Sequence, residues 1–363
     1  MSVQTIRQKY LRLFKRYVEE HLLVAVRAGR EPTSRYAATT GYPAAYLATE
    51  PVNGEDTLVG SSDLMRFALR CGDYFYRDWV GRDCTTLPNE HFATTFFVDL
   101  YGQLRDRLSP GRRQRWERAV LGHCEALSRA LKRKLSVGVA RRTALEIGCG
   151  PNHLYCWAAM LYRGGEILGQ ARFKRRATWA IHKLLEAQDT SGYHPEHAGP
   201  VLQYHVVTLS GLSQYYRLSR DRRCLRPLRR GAAFWCHLIY PDLSPIEVFD
   251  ERNRWSPNYA LPAHGALAMT PVGRRYINLA LDRLLAGEPP GKRHRYGTAR
   301  IGWHTGWLLR HLQYYQDGDE RPLPIERDRM LHRLGRAGLV RRTGPWVHAL
   351  SAFCNEPWET NPF

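Results

Sequence analysis

Apolar residues recur with helical spacing along most of the chain. In residues 62–80 they fall on one face of a helix, at Leu64, Phe67, Ala68, Cys71 and Phe75. The same spacing predicts helices over residues 92–108, 112–131, 154–170, 177–188, 201–218 and 276–285. The alternation typical of strands is scarce, and residues 339–350 are its best example, which predicts a short terminal hairpin. The pattern therefore predicts a mainly α fold.

Prolines mark the starts of several predicted helices. Pro88, Pro151, Pro200 and Pro257 each follow a glycine-rich or polar loop. Proline suits the first helical position, where its missing N–H would have no helical partner. Intervals of about 50 to 60 residues leave room for two helices and two loops, which favours helical hairpins arranged as an α/α toroid. A solenoid and an irregular bundle are the alternatives. Because long linkers are absent, we expect one toroid domain over residues 1–363, with residues 338–363 as a small irregular or β extension.

Charge and composition indicate the class of partner. The chain has 54 Lys and Arg residues against 34 Asp and Glu residues, a net charge of +20, which predicts a polyanionic partner. The 10 Trp, 20 Tyr and 11 Phe residues favour a sugar-binding cleft over a protein that coats nucleic acid. No nucleic-acid-binding motif is present. We therefore expect an acidic polysaccharide or oligosaccharide as partner, and no nucleic acid.

The apolar runs and the cysteines bear on location. No run approaches the 18 apolar residues of a membrane span, and the longest run near the N-terminus is too short for a secretory signal. The 8 cysteines form no C-x-x-C pair and no regular framework, which fits a reducing compartment. These features predict a cytoplasmic protein without a membrane anchor, or a periplasmic or secreted one if an export signal has been removed.

A glycine-rich stretch at residues 145–150 is similar to the cofactor loop of S-adenosylmethionine methyltransferases. That interpretation needs a second strand and an acidic residue about 20 positions later. Glu166 stands near that distance, but no β-branched run precedes it, and Asn152 occupies the position expected for the third glycine. The sequence favours a plain loop before a helix.

Three predicted helix starts carry polar clusters. They comprise Asn152 and His153; the stretch from His194 to His205; and the stretch from Asp250 to Tyr259. Helix N-termini favour anions, so these clusters would face one cleft if the helices begin at one rim of a toroid. Each cluster also has an ordinary explanation as a helix cap, core histidine, solvated arginine or buried phenol. His194, Glu196 and His197 could chelate a metal, but they lack a helical His-x-x-x-His face, and we expect no metal.

The order and spacing of these clusters resemble those of α/α-toroid polysaccharide lyases. The resemblance covers residues 149–259 and is strongest to the glucuronan/alginate lyase family 38. It is looser to other toroidal alginate lyases and to heparinase-like lyases. It implies β-elimination on a polyuronate, such as glucuronan or mannuronate-rich alginate, with no cofactor.

The resemblance also implies roles for individual residues. Asn152 and Glu196 match the groups that neutralise the substrate carboxylate, with Glu196 serving only if burial keeps it protonated. Arg254 would bind the same carboxylate. Tyr259 would protonate the leaving oxygen and, in syn elimination, also take the proton, while His205 would be the base in anti elimination or the partner of Tyr259. Further residues expected to contact substrate are Arg252, which competes with Arg254 for its role, and His153, His197, Tyr204 and Trp255.

Two other functions fit parts of the same pattern. A glycoside hydrolase on a similar toroid would use Glu196 with Asp250 or Glu251 as its carboxylate pair. A non-catalytic polyanion-binding protein would account for the charge, but it would give no reason for the Asn, His, Glu and Tyr set.

Overall fold

The described chain is mainly helical, as the apolar spacing predicts. The structure is a computed structural model, and it describes residues 4–352 except 30, 82–90, 137–149, 197–198, 250–258, 289–298 and 336–337. The α-helices in this part are α1 Ile6–Tyr17, α2 Leu23–Ala28, α3 Arg35–Ala38, α4 Gly41–Thr49, α5 Ser62–Val80, α6 His91–Leu104, α7 Pro110–Leu135, α8 Pro151–Ile167, α9 Ala171–Leu185, α10 Leu202–Ser219, α11 Leu225–His237, α12 His264–Leu267, α13 Pro271–Leu285 and α14 Ala299–Tyr314. None of the described helices combines the length and apolarity needed to cross a membrane.

The predicted helices all coincide with observed ones. Residues 62–80 form α5 with the predicted bounds, and the other predicted segments overlap α6 to α10 and α13 with shifted ends. Proline opens α7, α8 and α13. Pro200, however, lies two residues before α10, whose first helical residue is Leu202. Pro88 and Pro257 lie outside the described residues.

The described chain forms two compact units, each built from three segments. The first unit comprises Met1–Lys132, Trp157–Thr178 and Arg293–Tyr314. The second comprises Arg133–Cys156, Trp179–Lys292 and Tyr315–Phe363. The single toroid domain over residues 1–363 stays a prediction.

The first unit packs α1 against α14 and α4 against α5 and α6. Trp116 of α7 is fully buried, and a Cβ on Gly72 of α5 would overlap its indole ring. The indole Nε1 donates to Asp73 at 2.9 Å, and Arg112 bonds the same carboxylate. A buried ion pair joins Arg310 to Asp99. The core of this unit therefore combines close helix contact with paired charges.

In the second unit, α10 packs against α11 and α12, and α12 packs against α13. Gly211 of α10 faces the first turns of α8, where a Cβ would lie 2.7 Å from the backbone at Tyr155 and Cys156. Only glycine permits this approach, which brings α10 directly against the start of α8. Trp235 of α11 meets Tyr276 of α13 edge to face, with ring centroids 6.0 Å apart.

The described strands form one sheet at the C-terminal end. They are β1 Arg329–Leu334, β2 Gly338–Thr343 and β3 Trp346–Ser351, paired antiparallel in the order β1-β2-β3. The predicted hairpin corresponds to β2 and β3, where Thr343 pairs with Trp346. The expected β extension is thus present and gains a third strand. The methyltransferase-like stretch at residues 145–149 lies outside the described residues.

Candidate active site

The first turn of α8 carries the first polar cluster. Asn152 is buried, and its Oδ1 accepts a hydrogen bond of 2.7 Å from the backbone N–H of His153. Within the described residues the Asn152 Nδ2 has no partner, so the amide retains its donors. Burial lowers the pKa of His153 to about 4, which keeps that imidazole neutral at pH 7.

Gly150 admits the carboxyl group of Glu196 beside Asn152. A Cβ on Gly150 would overlap Glu196 Oε2 and would lie 2.7 Å from Asn152 Oδ1. Glu196 is only 3% exposed, and its backbone N–H donates to the carbonyl of Gly199 at 3.1 Å. The structure therefore brings an amide and a buried carboxyl group to one face of a glycine that has no side chain to separate them.

His194 and Tyr155 form a buried pair close in sequence to Glu196 and Asn152, and the sequence alone predicted no catalytic role for either residue. The Tyr155 hydroxyl and His194 Nε2 are hydrogen-bonded at 2.8 Å. Burial, and then the nearby His205 and Arg230, lower the pKa of His194 to about 3. Tyr155 lies three residues after Asn152 on α8, so helical spacing is the signal that would have found it.

His205 lies in the first turn of α10 and is anchored to α11. Its Nε2 donates to the carbonyl of Gly231 at 2.9 Å, and its ring packs edge to face on Phe234 with centroids 4.9 Å apart. The proton therefore resides on Nε2, and Nδ1 carries a lone pair. Nδ1 is buried and has no hydrogen-bond partner among the described residues. Burial lowers the pKa of His205 to about 4, so the ring is neutral at pH 7.

Tyr259 belongs to a different set of contacts. Its hydroxyl donates to Glu288 Oε2, while Arg283 donates to Oε1 of the same carboxylate at 3.0 Å. Burial, and then Glu288, raise the pKa of Tyr259 well above its ordinary value. The backbone carbonyl of Tyr259 accepts a hydrogen bond of 2.8 Å from His264. In the described chain no hydrogen bond or ring contact joins Tyr259 to His205, so one shared cleft stays a prediction.

The remaining predicted residues are only partly described. Tyr204 is half-buried on α10. The other candidates lie outside the described residues: His197, Asp250, Glu251, Arg252, Arg254 and Trp255. Among the residues that are described, no group of three or more His, Cys, Asp or Glu side chains could hold a metal ion.

The described residues on α8, α10 and the loop before α10 include an amide donor, a buried carboxyl group and one imidazole nitrogen, Nδ1 of His205, whose lone pair has no partner among them. Such a set can bind a carboxylate and accept a proton. Comparison with known proteins adds no assignment, because no family model, no curated protein and no solved structure matches the chain.

Proposed function

We propose that this protein is a polysaccharide lyase that cleaves a polyuronate by β-elimination. The observation that carries the proposal is the meeting of Asn152 and Glu196 at Gly150. In β-elimination a proton leaves the carbon beside a carboxylate, and the negative charge that develops must be stabilised. Hydrogen-bond donors fixed in a buried site do this most effectively.

Asn152 is suited to the neutralising role because its Oδ1 is held by the backbone N–H of His153, leaving Nδ2 to donate. Glu196 would supply a second donor in its protonated form. Arg254, or Arg252 in its place, would hold the same substrate carboxylate. The net charge of +20 supports this substrate class, since a basic protein attracts a carboxylated polymer.

The contacts of His205 and Tyr259 support separate roles for the two residues. A phenol that donates to a carboxylate is in its protonated form, which suits Tyr259 to protonate the leaving glycosidic oxygen. His205 holds its proton on Nε2 and has a lone pair on Nδ1, which suits it to take the proton from carbon. The product is an unsaturated uronate together with a new reducing end.

The test incubates the protein with glucuronan, polymannuronate and a neutral mannan. Ultraviolet absorbance reports the unsaturated uronate, and a reducing-end assay runs in parallel. We expect both signals to rise together on a polyuronate. Reducing ends without unsaturation would instead identify a hydrolase. If neither signal rises, a non-catalytic polyanion-binding protein is the remaining alternative.

Two variants distinguish the roles. Tyr259→Phe removes the donor hydroxyl and should lower turnover about 10²–10⁴-fold, whereas Tyr216→Phe on α10 serves as control and should not. Glu196→Gln keeps the shape of the side chain and its ability to donate a hydrogen bond. A neutralising role for Glu196 therefore predicts that turnover falls by no more than about tenfold. A carboxyl group acting in hydrolysis predicts a loss of about 10²-fold or more. Full activity of Tyr259→Phe would contradict the proposal.

A further inference from the structure

The first unit contains a pocket that is not part of the candidate active site. There, a cavity of about 550 Å³ opens at the C-terminal ends of α4, α6 and α14, with one residue from α1 and one from α8 in its wall. This volume lies within the range of small-molecule pockets, about 300–1,000 Å³. None of the lining residues is among the candidate catalytic residues, which belong to the second unit. The proposed lyase chemistry therefore makes no use of this pocket.

The wall is fixed by a buried ion network. Asp99 lines the pocket and accepts hydrogen bonds from Arg163 at 3.0 Å and from Arg310 at 2.7 Å. The Arg310 guanidinium also lies over the Phe96 ring, 3.9 Å from its centroid. Arg163 bonds Glu166 as well, so its positive charge is shared between two carboxylates. This side of the pocket is thus held by ion pairs whose charges balance.

Two glutamines offer complementary groups to a ligand. Gln103 donates its Nε2 to Thr49 Oγ1 at 2.8 Å, which leaves its Oε1 as an acceptor. Gln313 accepts the Tyr42 hydroxyl on its Oε1 at 3.1 Å, which leaves its Nε2 as a donor. Within the described residues, neither of these remaining amide atoms has a partner. A hydroxyl group both donates and accepts, so it can satisfy either atom.

The rim adds an amide and an aromatic surface. Asn53 and Gly54 form a tight turn, in which both φ angles are positive, at 53° and 82°. Reciprocal hydrogen bonds of 3.0 Å between the backbones of Val52 and Glu55 close this turn and fix Asn53 at the rim. Tyr314, at the end of α14, is 48% exposed and supplies an apolar ring face.

We infer that this pocket binds a neutral sugar. The wall offers an acceptor (Gln103 Oε1), a donor (Gln313 Nε2) and tyrosine rings, which match the hydroxyl groups and apolar faces of a sugar ring. The charged residues that line the pocket balance in number, two arginines (Arg7 and Arg163) against two carboxylates (Glu50 and Asp99), and Asp99 and Arg163 pair with each other. The lining therefore has no excess charge that would favour an ionic ligand over a neutral one. A metal is disfavoured by the lack of a three-ligand group among the described residues.

The test is calorimetric titration of the full chain with cellobiose, maltose, mannobiose and lactose, and with glucuronic acid for comparison. We expect saturable binding of at least one neutral disaccharide. Any binding of glucuronic acid should come from the proposed lyase site and should not depend on Gln103 or Gln313. A double variant, Gln103→Ala with Gln313→Ala, should bind at least tenfold more weakly. The matched control is Gln214→Ala, in the second unit, and it should bind like the wild type.

Three results would overturn the inference: no saturation by any neutral disaccharide, uronate binding that the double variant weakens, or unchanged affinity of the double variant for the neutral disaccharide. If the double variant fails to fold, Tyr314→Ala at the exposed rim replaces it, and unchanged affinity there is equally contradictory. The lyase assay on the same preparations separates the two proposals. Sugar binding without elimination would reject only the lyase, and elimination without sugar binding would reject only this site.

Discussion

Replacing Gly150 by alanine tests the meeting of Asn152 and Glu196 directly. Gly150 is not among the glycines with positive φ, and it precedes Pro151, a position where alanine readily takes the extended conformation. Backbone strain therefore adds little to the effect of Gly150→Ala. What changes is the space between the two side chains.

The size of the effect follows from the geometry. The new methyl group would overlap Glu196 Oε2 and would lie 2.7 Å from Asn152 Oδ1, closer than real carbon–oxygen contacts. Both side chains are nearly fully buried, so neither can swing into solvent. Overpacking of this kind costs about 1–3 kcal/mol of unfolding free energy. A displacement of about 1 Å in a catalytic group costs on the order of 10²-fold in rate.

The assay combines urea denaturation with the ultraviolet lyase assay. We expect Gly150→Ala to lose stability and most of its activity. The control is Gly111→Ala in the first turn of α7, where the nearest atom to a Cβ is 3.7 Å away, at the end of the flexible Arg115 side chain. Stability of Gly150→Ala within about 0.5 kcal/mol of the wild type would refute the proposed apposition, because surface substitutions fall in that range.

Two further predictions concern stability. Arg310→Met removes the hydrogen bonds of Arg310 to the buried Asp99, which Arg163 still pairs, and should cost about 1–3 kcal/mol in urea denaturation. The exposed control Arg66→Met should cost less than about 1 kcal/mol. Equal costs would contradict the buried network. His237 and His332 stack with ring centroids 4.1 Å apart. Burial lowers the pKa of both residues, that of His332 to about 4. The free energy of unfolding should therefore be highest above about pH 6.5 and should decrease as the pH falls towards 4. Over that pH range the urea midpoint of His332→Gln should fall less than that of the wild type. An identical fall would contradict the contribution of His332 to the pH dependence.

The sequence predicts the helices with one polar and one apolar face most reliably. α5 is found within its predicted bounds, because its apolar stripe repeats cleanly over the whole segment. α14 was not predicted, since its second half is buried on nearly every side, and the buried polar residues Arg310 and His311 interrupt any apolar stripe. α11 was missed because Pro227 and Gly231 interrupt its sequence, and packing of Trp235 against Tyr276 stabilises it instead. β1 was missed as well, although its exposure alternates as in an ordinary edge strand.

In the candidate site, too, some features follow from the sequence and others do not. Residue types and spacing singled out Asn152, Glu196 and His205, and the structure places Asn152 beside Glu196. What spacing cannot provide is the contact partner of each side chain. The hydrogen bond from His205 to the Gly231 carbonyl depends on how closely two helices approach, and no residue type in the sequence encodes it.

Tyr259 shows why those partners decide the chemistry. The sequence places arginines near it, and these would favour a phenolate that acts as both base and acid. The described structure instead places Glu288 on its hydroxyl, 29 residues later in the chain, and this carboxylate favours the protonated phenol. A tyrosine held in that form can give a proton but cannot take one. If the protein is the lyase proposed above, the base would be another group, and the neutral imidazole of His205, whose Nδ1 has no hydrogen-bond partner among the described residues, is our candidate.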